Sequence, residues 1–420
     1  MELLREAEQV LSCKISSCRI CSERDFEDIF DFGDHVLSGR FPTPNESDAP
    51  TAPLRMILCN ACGFLQLAHD FELNELYRHD YGYRSGINES MCVHLADLTL
   101  QITSCIDLVA GDLVLDIGSN DGTLLKSYNT GLDIRLVGID PTVEQFSEYY
   151  PPEILTVADF FSADAFNNIS GGKQARVITS VAMFYDLPAP NIFVADLAQA
   201  LAPDGIWVLE LCYLPRMLEL NAFDTICHEH LGYYALAQIE FLLGSHGLRV
   251  FDVAFNDVNG GSFLISACHQ DAAYFEGPSV EETRVREAAL GLDTSVPFNA
   301  FWQRIMVARD QIRSFLDEQA KLGKTVLGYG ASTKGNTTLQ FCDISKDQIR
   351  ATADRNQKKW GRRLPRTGIP IISEDEARLM RPDYFIAFPW HFRDSFLQRE
   401  KAFLDAGGHF VFLLPTFEIV

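Results

Sequence analysis

The chain has 420 residues, 47% hydrophobic and 22% charged, a globular composition that excludes a disordered, collagen-like or mucin-like protein. Its 58 acidic and 35 basic residues give a formal charge of −23, and a surface that negative repels nucleic-acid phosphates and anionic lipid. A local basic pocket for a small phosphorylated molecule stays compatible with it. No apolar run of roughly 18 residues predicts a membrane span, and the first residues lack the basic and apolar regions of a signal peptide. The expected location is the cytoplasm, a reducing compartment where 11 cysteines point to metal binding or burial rather than to disulfides.

Residues 1–78 form a cysteine-rich first unit. Cys18-x-x-Cys21 and Cys59-x-x-Cys62 are two knuckles with 37 residues between them. Each puts two thiolates on one side of a tight turn, and together they complete a closed tetrahedral set that suits a structural Zn²⁺. Redox chemistry would ask for one exposed knuckle in a thioredoxin-like pattern, which is missing. Cys13, Cys92, Cys105, Cys212, Cys268 and Cys342 have no comparable pattern and are expected to be buried.

The second unit, 79–270, opens with a predicted amphipathic helix over Asn88–Leu100. Strand-like runs at Leu113–Ile117, Ile134–Ile139, Arg176–Ser180 and Ile206–Leu211 then alternate with helical ones at Glu144–Tyr149, Asn191–Leu201 and Ala235–His246. That alternation predicts an α/β fold with a mostly parallel, doubly wound sheet. Asp116-Ile117-Gly118-Ser119-Asn120-Asp121-Gly122 reads as strand, turn and helix start, with glycines that let backbone approach a ligand. The spacing is not the G-x-G-x-x-G of a dinucleotide fingerprint, and an acid on the strand suits a cationic or hydroxyl-rich ligand better than a phosphate. Asp140, 22 residues after Gly118, is placed to grip two ribose hydroxyls, and Asp159-Phe160 to hydrogen-bond and sandwich an adenine. Asp116, Gly118, Asn120, Gly122, Asp140, Asp159 and Phe160 together resemble the S-adenosylmethionine site of class I methyltransferases.

His228-Glu229-His230 follows in a polar and aromatic run before a helix. Positions i and i+2 do not share a helix face, so this is not an H-E-x-x-H zinc helix. A histidine oriented and made more basic by a neighbouring glutamate is a proton acceptor. A helical connector, 271–320, with helices expected at Val280–Leu290 and Phe298–Leu322, leads to a last unit, 321–420, that starts a second β-α series. Its turn Gly328-Tyr329-Gly330-Ala331-Ser332-Thr333-Lys334-Gly335-Asn336 carries hydroxyls, a lysine and free N–H groups suited to phosphate. Asp354 ends the next strand, and Lys358, Lys359, Arg362, Arg363 and Arg366 cluster after it. A nucleotide-diphosphate site is expected here, with Gly330, Ser332, Thr333, Lys334, Asn336, Asp354 and Lys359 as substrate-binding residues.

These segments, with Tyr81-Gly82-Tyr83-Arg84-Ser85, Asp383-Tyr384 and Pro389-Trp390-His391, resemble the sugar C-methyltransferase family that acts on nucleotide-linked ketosugars. The resemblance spans nearly the whole chain. It implies a zinc-binding N-terminal domain, a class I methyltransferase middle domain and a Rossmann-like C-terminal domain, with the substrate between the latter two. It implies S-adenosylmethionine and structural zinc as cofactors, and a nucleotide-diphosphate 4-keto-6-deoxy sugar as substrate. A base removes the proton beside the ketone, and the enolate carbon takes the methyl group. His230 matches the family's base and Glu229 its supporting acid, Tyr81 or Tyr83 matches a tyrosine that reaches the site, and Asp186 and His228 are the alternative bases.

Two positions depart from the family pattern: Cys227 stands where a tyrosine is usual, and Asp186 where a histidine is usual. Asp186 can replace an imidazole as a base but not as a cationic stabiliser of an oxyanion. Transfer to oxygen or nitrogen of the same substrate class is therefore the alternative. A nicotinamide dehydrogenase fits Lys334 and the duplicated α/β unit poorly, and the two nucleotide-type turns speak against a zinc module without catalytic activity. No nucleic-acid or membrane partner is expected, and the expected assembly is a monomer or loose dimer.

Overall fold

The computed structural model describes residues 12–71 and 83–420, so Tyr81 lies outside the described residues. In the first unit β1 (Phe26–Val36) and β2 (Thr51–Cys59) pair antiparallel, and β3 (Leu65–Leu67) adds to β2. Alternate residues Ala52, Leu54, Met56 and Leu58 of β2 are buried, as the two-residue repeat of a strand requires. The fourth strand of this sheet, Gly232–Tyr233, comes from the second unit and pairs with β3. The segment that carries His228-Glu229-His230 is thereby tied into the first unit.

In the second unit α1 (Glu89–Cys105) precedes a seven-stranded sheet of β4 (Leu113–Ile117), β5 (Arg135–Ile139), β6 (Ile154–Val157), β7 (Ala175–Val181), β8 (Leu201–Cys212), β9 (Leu248–Asn256) and β10 (Ser262–His269). The spatial order is β9-β10-β8-β7-β4-β5-β6, with β10 antiparallel to both of its neighbours. Every residue of β4 is buried, the pattern of a central strand covered on both faces. β8 begins at Leu201 rather than at the expected Ile206, so Pro203-Asp204-Gly205 lies inside it, where the register shifts between Leu201 and Ile206. A bulge accommodates the missing proline donor there.

α2 (Pro278–Ala288) packs on β9, and its Glu287 accepts hydrogen bonds from Tyr213 OH at 2.9 Å and Leu236 N at 2.8 Å. α3 (Val296–Lys321) has 26 residues, a rod of about 39 Å at 1.5 Å per residue. Trp302 stacks on Phe30 of β1 at 5.4 Å, and Phe315 meets Tyr384 of the last unit edge-on at 5.1 Å. That unit holds β11 (Val326–Tyr329), α4 (Thr333–Phe341), β12 (Thr352–Ala353), β13 (Ile371–Ile372), β14 (Tyr384–Ala387), β15 (His409–Phe412) and β16 (Glu418–Ile419). Its sheet runs β13-β12-β11-β14-β15-β16 and is parallel except for β16.

Phe30, Phe32, Phe301, Phe341 and Phe385 belong to one continuous core, so the first and last units share their apolar interior through α3. A second core fills one side of the middle sheet. The expectation of buried unpatterned cysteines holds for Cys268 and Cys342 only. Cys92 and Cys212 are half-buried, and Cys13 and Cys105 lie exposed on short or terminal elements. Among the described residues no helix is long and apolar enough to cross a membrane.

Candidate functional site

The four knuckle thiols converge. Cys18 and Cys62 Sγ lie 3.7 Å apart, Cys21 and Cys59 Sγ 3.5 Å, and all four within 4.8 Å of one another. A tetrahedron of sulfurs about 2.3 Å from a central zinc has edges of about 3.8 Å, so the set fits the ion with no further ligand position. The Cys62 thiol is the largest influence holding Cys18 low, at about 5, and Gln66 Nε2 also donates to its sulfur at 3.3 Å. Both knuckles dock on the middle unit: Asn191 Nδ2 donates to Arg19 O and Ile20 O, and Gln238 Nε2 to Cys62 O at 3.0 Å. Zinc there would fix the orientation of the first unit rather than enter a reaction.

A cavity of about 1110 Å³, counted to its open mouth, lies at the carboxyl ends of β4, β5 and β7. This is where the strand order reverses, the usual ligand crevice of an open α/β sheet. Asp116, Gly118, Asn120, Asp140 and Phe160 line it, as does Asp186. Asp116 is buried, accepts from Thr179 Oγ1 at 2.6 Å, and is pushed up to about 7 by burial. Asp140 closes the glycine turn by accepting from Asn120 N at 2.9 Å and from Thr142 N at 2.6 Å. The acids, the apolar Phe160, Met183 and Leu187, and the left-handed turn at Gly118 (φ 77°) fit a cationic nucleoside.

Two placements differ from the sequence-based expectation. Gly122 does not line the cavity; it sits at φ 71° against Tyr150, whose ring would be 2.7 Å from an added Cβ. Asp159 is exposed and outside the lining, with its carboxylate accepting from Phe160 N. Asn120 holds the lip of the cavity, its Oδ1 accepting from Ser85 N at 2.9 Å. Asp121, which sequence reasoning passed over within its own motif, is fully buried and accepts from Arg84 Nη1 and Gly86 N, both at 3.1 Å. Tyr83, 42% exposed on that lip, lines this cavity and a neighbouring one.

The His230 ring lies 4.4 Å from that of Tyr185, the chain neighbour of Asp186. Its Nδ1 donates to Thr225 O at 2.6 Å, which fixes the tautomer and leaves Nε2 as the acceptor. Burial, then the Lys334 charge, hold its pKa down to about 4. The expected orienting role of Glu229 is therefore taken by the Thr225 carbonyl. Glu229 accepts instead from the Cys227 thiol and from Gly39 N, and burial raises its pKa. An added Cβ on Gly39 would lie 2.6 Å from Glu229 Oε1. His228 is not at the cleft. Residues 227–230 form a turn, closed by His230 N on Cys227 O, that sends His228 the other way. It is wholly buried, with Nε2 donating to Ala52 O at 3.1 Å and its ring edge-on to Phe71. Asp224, beside Thr225, accepts from Trp390 Nε1 at 3.0 Å.

In the last unit Asp354 repeats the Asp140 device, accepting from Ala331 N at 2.8 Å. The turn expected to cradle phosphate is occupied by its own fold. Ser332 Oγ caps α4 by accepting from Gly335 N, Thr333 begins that helix, and Gly330 packs on Pro389. Asn336 Nδ2 donates to Ser38 O at 2.6 Å, and Lys334 Nζ reaches across to Asn259 O at 2.6 Å. Lys359 donates to Ala331 O at 2.7 Å and sits 4.5 Å from the Phe41 ring. Lys359 also lines the second cavity, with Phe41, Tyr83, Arg84, Tyr149, Arg355, Lys358 and Arg362. Four polar atoms of Asp224 (Oδ1), Glu229 (Oε2), Asn336 (Oδ1) and His391 (Nδ1) are buried with no hydrogen-bond partner among the described residues.

Counted from β4, the middle sheet has the order 3-2-1-4-5-7-6 with strand seven reversed, and with the acid-and-glycine cavity at its switch point it defines a class I S-adenosylmethionine-dependent methyltransferase. Comparison with known proteins narrows this. Residues 18–77 match a zinc binding domain family, 88–253 a methyltransferase domain, and 257–415 the C-methyltransferase C-terminal domain. The chain is 33% identical over 410 residues, 97% of each sequence, to the C-methyltransferase NovU of Streptomyces niveus. It belongs to the C-methyltransferase family, and its cofactors are S-adenosylmethionine and zinc.

Among solved structures, magnesium protoporphyrin IX methyltransferase of Synechocystis with bound SAM aligns with 42% of this chain and 79% of its own, at 14% identity and a TM-score of 0.32. A Burkholderia thailandensis 1,6-didemethyltoxoflavin-N1-methyltransferase aligns with 44% and 81%, at 13% identity and 0.32. Likenesses at that level add nothing to the assignment.

Two outcomes follow for the cofactors. Cys18→Ser combined with Cys62→Ser should remove the bound zinc, read by metal analysis, and lower the melting temperature, because the two knuckles clamp the middle unit. S-adenosylmethionine affinity should fall about tenfold between pH 8 and pH 6 if the Asp116 carboxylate meets the positive ligand, since that group titrates near 7 and is mostly protonated one pH unit below it. Calorimetry at the two pH values checks this, and Asp116→Asn should abolish the pH dependence.

Proposed function

We propose that the substrate is a nucleotide-linked 4-keto-6-deoxy sugar, methylated in the cytoplasm on the carbon next to its ketone after His230 removes the proton there. The observation that carries this reading is the hydrogen bond from His230 Nδ1 to Thr225 O. It leaves Nε2 neutral and unprotonated, on a ring packed against Tyr185, whose neighbour Asp186 lines the cavity. A carbon acid needs such a base, whereas a hydroxyl or amine nucleophile can do without one.

The rest of the cleft supports a sugar. Asp224 Oδ1, Glu229 Oε2 and Asn336 Oδ1 are buried oxygens without partners among the described residues, and a ring rich in hydroxyl groups supplies donors to match them. The second cavity supports a nucleoside diphosphate: Arg355, Lys358, Lys359 and Arg362 gather there in a chain of charge −23. Tyr149 and Phe41 add aromatic faces. The basic groups of 355–362, more than the Gly330–Asn336 turn, are the anchor in this reading. Tyr83, shared by both cavities, would stand between sugar and cofactor.

S-adenosylmethionine, when bound, supplies a methyl group on a sulfonium, an electrophile open to in-line attack by carbon. His230 takes the proton on Nε2, and the Thr225 carbonyl keeps Nδ1–H in place as the ring becomes charged. Asp186, which lines the cavity, orients groups of the sugar. Positioning of carbon and methyl in one closed cleft lowers the barrier further.

Incubation with S-adenosylmethionine and a panel of nucleotide 4-keto-6-deoxysugars, followed by NMR of the product, should give a new methyl on carbon. His230→Ala should abolish transfer and leave S-adenosylmethionine affinity within a few fold. A methyl on oxygen or nitrogen, or near-normal turnover by His230→Ala, contradicts the reading.

A further inference from the structure

Lys334, the second residue of α4, crosses the boundary between the last two units, with its Nζ donating to Asn259 O at 2.6 Å. Asn259 holds a left-handed conformation (φ 56°) in the turn between β9 and β10. Its neighbour Gly260 lies so close to Trp390 that an added Cβ would be 2.9 Å from the indole. Trp390 donates to Asp224, and Asp224 adjoins Thr225, whose carbonyl holds His230. One connected series of contacts, part backbone and part side chain, thus joins the lysine to the base. The charge of Lys334 acts on His230, Asp224, Cys212 and His391 alike.

An ammonium has three donors, and Asn259 takes one of them. Among the described residues Lys334 forms no ion pair, although the wall around His230 is acidic. Asp224 and Glu229 lie on the same segment, with Cys227 between them, and Asp186 lies on the loop after β7. Removing a proton beside a ketone puts negative charge on the ketone oxygen. Among those acids that charge would be destabilised unless a cation met it.

We propose that Lys334 is a further catalytic residue, which donates to the ketone oxygen of the sugar and stabilises the enolate formed when His230 removes the neighbouring proton. The assignment rests on the ketosugar reading. The C–H electron pair becomes the C=C bond of the enolate, and the carbonyl π pair moves to the oxygen facing Lys334. On transfer that pair re-forms the carbonyl, the enolate carbon bonds the methyl, the S–C pair stays on sulfur, and the proton leaves His230 for water.

The full-length enzyme with S-adenosylhomocysteine and the ketosugar nucleotide in D₂O reads enolisation apart from transfer, as deuterium entering the carbon beside the ketone. Lys334→Met should slow this exchange and methyl transfer alike by about 100-fold. Affinity for dTDP, GDP or CDP alone should stay within a few fold of the unaltered enzyme, and Lys334→Arg should recover much of the exchange. Loss of the cation should also raise the His230 pKa, so the acid limb of kcat moves to higher pH in Lys334→Met. Exchange within threefold of the unaltered enzyme overturns the assignment. So does a loss confined to nucleotide affinity, which would make Lys334 a phosphate anchor, or a lowered melting temperature with an unmoved acid limb. If the unaltered enzyme neither exchanges nor methylates any ketosugar, the substrate reading itself fails and this assignment with it.

Discussion

The site depends on how the segment from Phe223 to His230 is held. Each polar side chain in it is tied from a different direction: Asp224 by Trp390 of the last unit, His228 by Ala52 of the first sheet, and Glu229 by Gly39 of the first unit. His230 is held by the segment's own Thr225 carbonyl. A short loop of this length would ordinarily sample many conformations, and a base must keep its place to within a fraction of an ångström. Here the ordering comes from packing three units around one loop. Gly232–Tyr233, which follows it directly, joins the first unit's sheet and extends the same restraint.

The chain uses one turn device twice and for different ends. Asp140 accepts from Asn120 N, and Asp354 from Ala331 N, so in each α/β unit an acid after the second strand closes the glycine turn after the first. In the middle unit the closed turn opens onto a deep cavity. In the last unit Ser332 caps the helix, Lys359 holds the Ala331 carbonyl, and Lys334 and Asn336 reach outward to other units. The second turn has become an interface between units.

Features that reside in a few neighbouring residues were legible in the sequence. The knuckles set four thiols close enough for one metal, the acid and glycine at the end of β4 line the cavity at the switch point, and the strand of β4 was read to the residue. Features made by distant residues were not. The pairs Trp390–Asp224 and Asn336–Ser38 join positions 166 and 298 residues apart. The group that orients His230 is a backbone carbonyl, which every residue has and no motif marks. His228 was misplaced because a turn at 227–230, invisible to periodicity, separates two histidines that look alike in sequence.

The tautomer of His230 is the property on which the proposed chemistry turns, and nitrogen NMR of the histidine-labelled protein observes it directly. His230 should show a protonated Nδ1 and a bare Nε2 across the physiological range, with protonation only as the pH approaches about 4. A proton on Nε2 at neutral pH, or titration near the ordinary histidine value of about 6.5, would contradict a base held ready by Thr225.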